Sequence, residues 1–596
     1  MFYTKSLWLV GLRASPMSKA RAYIQAILAL SSFVLNGASG ALPASNSVWT
    51  QLGPFGGPAE YVVTSPSTPD LLLAGSPNAM LYRSADAGGS WTHLPFPAEL
   101  ASTLHVILPN ASDTRRVLTG VSPDSGGSGL FLSTDAGETW KSVDIFNGKA
   151  VWALAHFAGD ARIVVAGVSD GVYRSADAGD TWRRISAVQD AGLHPVVSVA
   201  IHPSERDIIY AGTPHLPWKS VNGGRAWQSI HRGMLDDSDV FSIDIDRRHP
   251  ERVLASACSG IYRSLTAGGL WAKLRGSADA SFRTYVIAHD PHVAGRVWAG
   301  TTHGLMGSTD GGTIWRTISK HSVKSIAFDP RRPGTIFLAT RDAGLMKSND
   351  AKTFAAINQG FVNHSYFALA GSGDSLWLSG EGAGMLESAD GGKRWKSFAL
   401  PERVLMLSPC RDNGALFAGG AGFLRQFLAG QWTALSEPGR MAVRSVACQG
   451  TSLYAASNRA VYRSSDVGRT WVEWGKPEPA MEWNQLAATR TGGLLAATSH
   501  GLLSSANGGQ SWSATPGELG RNTVTSVLAH PERNGQVFAA QYDRIFFSSG
   551  DGLEWTALAT KGLERAAVRA LAIAKGKPGR LYALAAGRGV FYIDLE

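Results

Sequence analysis

An octet spelled S-x-D-x-G-x-[ST]-W, a period of about forty residues between its tryptophans, and four short strand patterns per period predict an all-β protein. The expected form is tandem β-propellers made of about thirteen four-stranded blades, seven plus six. The octet reads "SADAGGSW" from Ser84, "STDAGETW" from Ser133, "SADAGDTW" from Ser175, "STDGGTIW" from Ser308, "SADGGKRW" from Ser388 and "SSDVGRTW" from Ser464. Weaker spellings start at Ser220, Ser264, Ser505 and Ser548, and a shortened one at Ser348. The closing tryptophans run from Trp91 and Trp140 to Trp512 and Trp555 at a nearly constant interval.

Each unit has the same internal order. In residues 197–227, "VVSVAIHP" is an alternating strand, "RDIIYAGT" a second, "PWKS" leads into the octet, and "AWQSI" leaves it as a fourth. The octet is turn chemistry. A short Asp or Ser side chain caps nearby backbone N–H groups, Gly accepts positive φ, and the Trp opens the outer strand while burying a large surface. Asp86, Asp135, Asp177, Asp310, Asp390 and Asp466 are therefore read as structural. The replacement of the acid by Thr266, Asn222 and Asn507 suits a turn and would not suit a catalytic group. "VWTQL" at 48–52 stands alone before the first octet, and three strand patterns without a fourth follow the last. Pairing the two would complete a blade and remove an exposed sheet edge. Thirteen units exceed one ring of four to eight blades, so two rings are expected. They are placed over residues 45–335 and 336–596. If both termini meet in one ring, the other is an insertion.

The octet resembles the Asp-box, or BNR repeat, of sialidases, the sortilin ectodomain, photosystem II stability and assembly factors, and two-propeller xyloglucan-cleaving endoglucanases. The resemblance covers roughly residues 45–596 and implies the scaffold; those families share no single function. The sialidase likeness stops at the repeat, because their Arg-Ile-Pro signature is absent. The xyloglucanase likeness implies a catalytic aspartate in the second-to-third-strand turn of an early blade, but that turn reads "AGSPNAMLYRS" here, without a carboxylate.

Composition narrows the function. Of the net charge of +9, four positive charges (Lys5, Arg13, Lys19, Arg21) lie before residue 41, leaving +5 for the rest, with no basic runs. That gives no nucleic-acid footprint. Lys19 and Arg21 precede the apolar "YIQAILALSSFVL" and an Ala-rich stretch, which reads as a signal peptide over residues 1–41, with Met1 or Met17 as the start. A secreted protein, periplasmic or extracellular, follows, without an integral membrane span once processed. Cys258, Cys410 and Cys448 make no disulfide framework. All three are read as buried thiols, and a Cys410–Cys448 bridge is disfavoured because the two occupy similar places in successive repeats.

Two loops carry candidate ligand chemistry. "DDSD" supplies Asp236, Asp237 and Asp239 without the ligand spacing of a calcium loop. "WVEWGKPEPAMEW" supplies Trp474 and Trp483 with Glu478 and Glu482, a combination suited to stacking on sugars or gripping a protein, unless the rings pack beneath the loop. Turns on the octet-free face add Asp170, Asp342 and Glu381, and His215, His303 and His500. No metal site and no cofactor are expected. The leading expectation is a non-catalytic binder of a protein or polysaccharide, and the alternative is a secreted glycoside hydrolase, xyloglucanase- or sialidase-like, working between the rings.

Overall fold

The computed structural model describes residues 47–595 apart from 188–191, 236–238, 277–282, 382–383, 399, 401, 440–441, 458–459, 476–480 and 564. The expected signal peptide lies outside the described residues. Among the described residues, thirteen antiparallel sheets, each of four strands, make up the fold, and the only helical segments are two short 3-10 turns.

Packing sorts the sheets into two closed rings. Blades 1 to 7 span residues 61–94, 102–142, 151–184, 198–229, 240–273, 284–319 and 323–356, each packed on the next. The inner strand of blade 7, Val323–Phe328, packs on that of blade 1, Tyr61–Thr64, and closes the first ring. One apolar cluster joins Val62, Leu72 and Trp91 of blade 1 to Ala327, Phe337 and Leu345 of blade 7. Blades 8 to 12 span 366–398, 406–435, 443–475, 483–514 and 526–557. Blade 13 takes three strands from residues 568–594 and its outer strand, Thr50–Gly53, from the chain start, where Thr50 faces Tyr592. Blade 13 in turn packs on blade 8 through Leu584 and Val590 against Tyr366 and Leu369. Trp49 is buried at this closure, and its Nε1–H donates to the Ala559 carbonyl at 3.1 Å.

The expected boundary at 335/336 cuts blade 7 between its first and second strands. Phe328 pairs with Ile336 across that point, so the sheet is continuous there. The first ring is inserted after Gly53, and the chain returns to the second ring along residues 357–365. The two crossings run side by side: Gly56 N–H donates to the Phe361 carbonyl at 2.8 Å, and Asn363 N–H to that of Gly56 at 2.7 Å. Gly57 lies so close to the Asn363 carbonyl, at φ +99°, that a Cβ has no room.

The octet geometry repeats nearly unchanged. The Ser133 hydroxyl donates to Asp135 Oδ1 at 2.8 Å and accepts the Gly137 N–H at 2.8 Å, while Asp135 accepts the Thr139 N–H at 2.9 Å. Ser84/Asp86, Ser175/Asp177, Ser464/Asp466 and the Asn222 octet follow the same scheme. The hydrogen-bond donors of Thr139, with burial working against them, hold the Asp135 carboxyl below its ordinary range, and Asp466 is lowered to about 2 by its bonds from Thr470. The turn carries two successive positive φ values. The first belongs to Ala136 (60°), Ala178 (60°) or even Val467 (59°), and the second to Gly.

The cysteines depart from expectation. Similar places in successive repeats are neighbours across a blade boundary, and Cys410 and Cys448 form a disulfide with a Cα–Cα distance of 5.4 Å. Cys258 is a free thiol and exposed, at the turn between the second and third strands of blade 5.

Candidate functional site: the two ring openings

Every inner strand begins with the same irregularity. In nine blades the pairing register slips near the start, after the first residue in eight and after the third, Leu104, in blade 2, so that one residue is left without a partner across the ladder. In the other four, the N–H of Glu60, Val197, Leu405 or Thr525 bonds to Gly75, Gly212, Gly419 or Ala540, the residue that also faces the next position of the strand. Such a bulge re-aims one side chain out of the alternating pattern. In blades 1 to 7 the bulge residues are Glu60, His105, Trp152, Val197, Phe241, Tyr285 and Lys324. In blades 8 to 13 they are Phe367, Leu405, Arg444, Asn484, Thr525 and Arg569.

Neighbouring bulge residues of the first ring touch across blade boundaries. Lys324 Nζ lies 2.7 Å from Glu60 Oε1 and 3.9 Å above the Tyr285 ring, whose environment also includes the Arg341 guanidinium at 5.5 Å. Arg283 covers Phe241 at 4.6 Å, and His105 meets Trp152 edge-on at 6.2 Å. His105 Nε2 is 2.7 Å from the Ser122 hydroxyl. Burial, reinforced by the charge of Lys324, pushes the His105 imidazole down to about 4; burial also lowers Lys324 against the pull of Glu60. The opening is aromatic: its bulge cation, Lys324, is paired with Glu60, and Arg283 and Arg341 lie over the Phe241 and Tyr285 rings.

The second ring opens into a cavity of about 570 Å³ lined by all six of its bulge residues together with Gln485 and Thr523. Arg569 has no charged partner among the described residues. Arg444 is 3.8 Å from Glu482, with both side chains well exposed. At the opposite end of this channel lies a smaller pocket of about 80 Å³ edged by the Cys410–Cys448 bridge.

Both openings lie on the octet-free face, where the second-to-third-strand turns also emerge. The rings meet through such turns: the Met80 sulfur of blade 1 lies against Gly587 of blade 13, and the Tyr82 hydroxyl donates to the Val362 carbonyl at 2.6 Å.

The residues singled out in the sequence fare differently. Trp483 is 1% exposed and packs edge-on against Trp512 at 5.1 Å, inside the core between blades 10 and 11. It cannot stack on a ligand, because an inner strand starts there and its first apolar residue points between blades. Trp474 is half-buried: its Nε1–H donates to the Gly508 carbonyl at 2.8 Å, and Arg463 covers its ring at 4.5 Å. Glu482 is exposed beside Arg444, and Glu478 lies outside the described residues. So do Asp236 and Asp237, while Asp239 is half-buried. Among the described residues no group of three or more His, Cys, Asp and Glu could hold a metal ion. The turn carboxylates are each tied to a cation or imidazole: Asp170 to Lys149 at 3.1 Å, Asp342 to His321 at 2.8 Å, and Glu381 to Arg403 at 3.4 Å. Sequence reasoning missed the bulge residues.

A profile described as photosynthesis system II assembly factor YCF48 matches residues 132–406, and one described as DUF6242 beta propeller domain matches residues 423–529. No curated protein matches the chain. Among solved structures, the GH74 xyloglucanase from Xanthomonas campestris superposes with a TM-score of 0.71 at 16% identity, covering 92% of this chain and 100% of that one. A GH74 enzyme from Niastella koreensis gives 0.72 at 15%, covering 92% and 99%. The Porphyromonas gingivalis surface component PorZ gives 0.51 at 12%, covering 91% and 80%. At such identities the likeness is one of fold. Repeat, blade and profile agree on the Asp-box, or BNR-repeat, β-propeller scaffold.

Proposed function

We propose that this is an exported, non-catalytic platform that binds a protein or polysaccharide partner at the ring openings. The observation that carries this reading is the pairing of the turn carboxylates. Glycoside hydrolysis needs two carboxyl groups flanking the bond, one of them kept protonated as a general acid. The described turn carboxylates are instead each engaged by a basic side chain, Asp170 by Lys149, Asp342 by His321 and Glu381 by Arg403. Every described carboxylate whose pKa is displaced moves downward, Asp160 and Asp390 to about 2 among them. The aromatic and cationic openings supply binding chemistry without a reacting pair. The Cys410–Cys448 bridge suits an oxidising compartment, and no described helix is long and apolar enough to cross a membrane.

The test is a screen of the purified protein on polysaccharide and peptide arrays with reducing-sugar release followed in parallel. Binding without turnover is expected. Release of sugars would replace this reading with that of a glycoside hydrolase acting between the rings.

A further inference from the structure

We propose that the opening of the second ring is a site for a sugar acid, free or as a residue of an acidic polysaccharide. The inference rests on reading the chain as a binder, and it names the ligand chemistry.

The argument starts with charge. Arg444 and Arg569 stand at bulge positions on the wall of one cavity, with Arg569 unpaired among the described residues and Arg444 in a long, exposed ion pair with Glu482 at 3.8 Å. Among the described residues no carboxylate lines that wall. Guanidinium groups in this state suit a ligand carboxylate, which they bind through paired N–H donors.

The polar remainder separates a sugar acid from a bare anion. The Asn484 amide donates to the Val524 carbonyl at 2.8 Å, which leaves its own oxygen as an acceptor. The Thr525 hydroxyl donates to the Val568 carbonyl at 2.6 Å, and that of Thr523 to the Ser499 carbonyl at 2.9 Å, so both can accept from a ligand. A phosphate or sulfate has few or no hydrogens to give them; sugar hydroxyls do. Gln485 is the converse case. Its oxygen takes the Ser526 hydroxyl at 2.6 Å and the Val527 N–H at 3.1 Å, freeing its NH2 to donate. The wall thus offers two cations for a carboxylate, one amide donor, and three acceptors for hydroxyls. Leu405 adds apolar surface, beside Phe367, whose ring carries the Arg403 guanidinium at 4.7 Å. A volume of about 570 Å³ is that of a small-ligand pocket.

The first ring provides the contrast. Its opening holds a cation at the corresponding place, but Lys324 is neutralised by Glu60 and covered by Tyr285.

The test is calorimetric titration of the purified protein with galacturonate and its short oligomers, set against galactose, neutral oligomers and a Glu-rich peptide. Galacturonates should bind, more weakly as salt rises, and the neutral sugars about tenfold or more weakly. Arg569→Gln and Arg444→Gln should each weaken binding by about tenfold with the melting temperature unchanged. Equal binding of neutral sugars, preference for the acidic peptide, or full binding by the folded variants would overturn the assignment. Release of reducing ends from the oligomers would instead overturn the non-catalytic reading and leave the site standing. Binding of some other array ligand with none of galacturonates would overturn this inference alone.

Discussion

At the bulge of blade 7 stands Lys324, and at the bulge of blade 13 stands Arg569. Both are cations placed by the same backbone device at a ring opening. Lys324 is 13% exposed, ion-paired with Glu60 and pressed on an aromatic ring. Arg569 is exposed on the wall of an open cavity with no described partner. The difference separates scaffold from site. The repeat supplies thirteen aimed positions at no further cost in architecture. Where those side chains satisfy one another they close an opening and hold the ring; where they do not, they remain available to a ligand. Unsatisfied charges sacrifice some stability, as functional sites commonly do.

The rings also differ in how they are fastened, and this gives the largest expected effect. The first ring closes on itself through packing of blade 1 on blade 7. The second is closed by a strand from the far end of the chain. Trp49→Ala should destabilise the second ring by about 3–5 kcal/mol, as truncation of a buried Trp does, and deletion through residue 55 should expose a sheet edge and promote aggregation. Two-transition calorimetry checks this. A loss shared equally by both transitions would show that the rings unfold as one body.

Next comes the disulfide. Replacing Cys410 and Cys448 by Ala removes a link that closes a 38-residue separation. It should lower only the second ring's stability, by about 2–4 kcal/mol.

The first ring should be the more acid-sensitive at its opening. His105 titrates near 4 in the folded chain and near the ordinary value of 6.5 when unfolded. As pH falls the unfolded chain takes the proton first. The contribution is complete above about pH 6.5 and is lost on the way down to about pH 4, roughly 3 kcal/mol in all. His105→Gln should flatten that slope; an unchanged pH profile would place the imidazole outside the buried opening.

The smallest effect lies in the turns both rings share. Val467 is a β-branched residue held at φ 59°, about half exposed, where four other octets have Gly. Val467→Gly should raise stability by about 0.5–1 kcal/mol, the relief of left-handed strain exceeding the entropy cost of glycine. Asp466 in the same turn should lend its stability above about pH 4 and lose it as pH falls toward 2, the direction its lowered pKa dictates. A destabilised Val467→Gly protein would mean that the valine side chain makes contacts that outweigh its backbone strain.

How far the sequence could be read follows from these particulars. The octet was legible because Ser133 and Asp135 bond to backbone within four residues of themselves, so the motif carries its own geometry. Closure by the strand at Trp49 was legible from an unpaired pattern at each end. The disulfide was misjudged because equivalence in sequence hides adjacency in a ring. For Trp483 the sequence leaves stacking on a ligand and packing beneath the loop both open, because a Trp at the start of an inner strand looks, in sequence, like a Trp in a loop; the structure shows the packing. The openings were written in the chain but overlooked. "VKSI" from Val323, "VRSV" from Val443, "WNQL" from Trp483 and "VRAL" from Val568 each put the bulge residue second in a tetrad that begins and ends on an apolar residue. The period of that second letter is the period of the blades; which of those letters satisfy one another depends on ring closure, which no local pattern records.

The most direct test of the contrast between the rings is the melting temperature of two matched variants, Lys324→Met and Arg569→Met. The account predicts that Lys324→Met destabilises the first ring by about 2 kcal/mol or more, because it strands Glu60 in a largely buried place, while Arg569→Met leaves the second ring as stable as before or slightly more so. Equal losses in both variants would contradict it, for Arg569 would then be held by the protein and not free for a ligand.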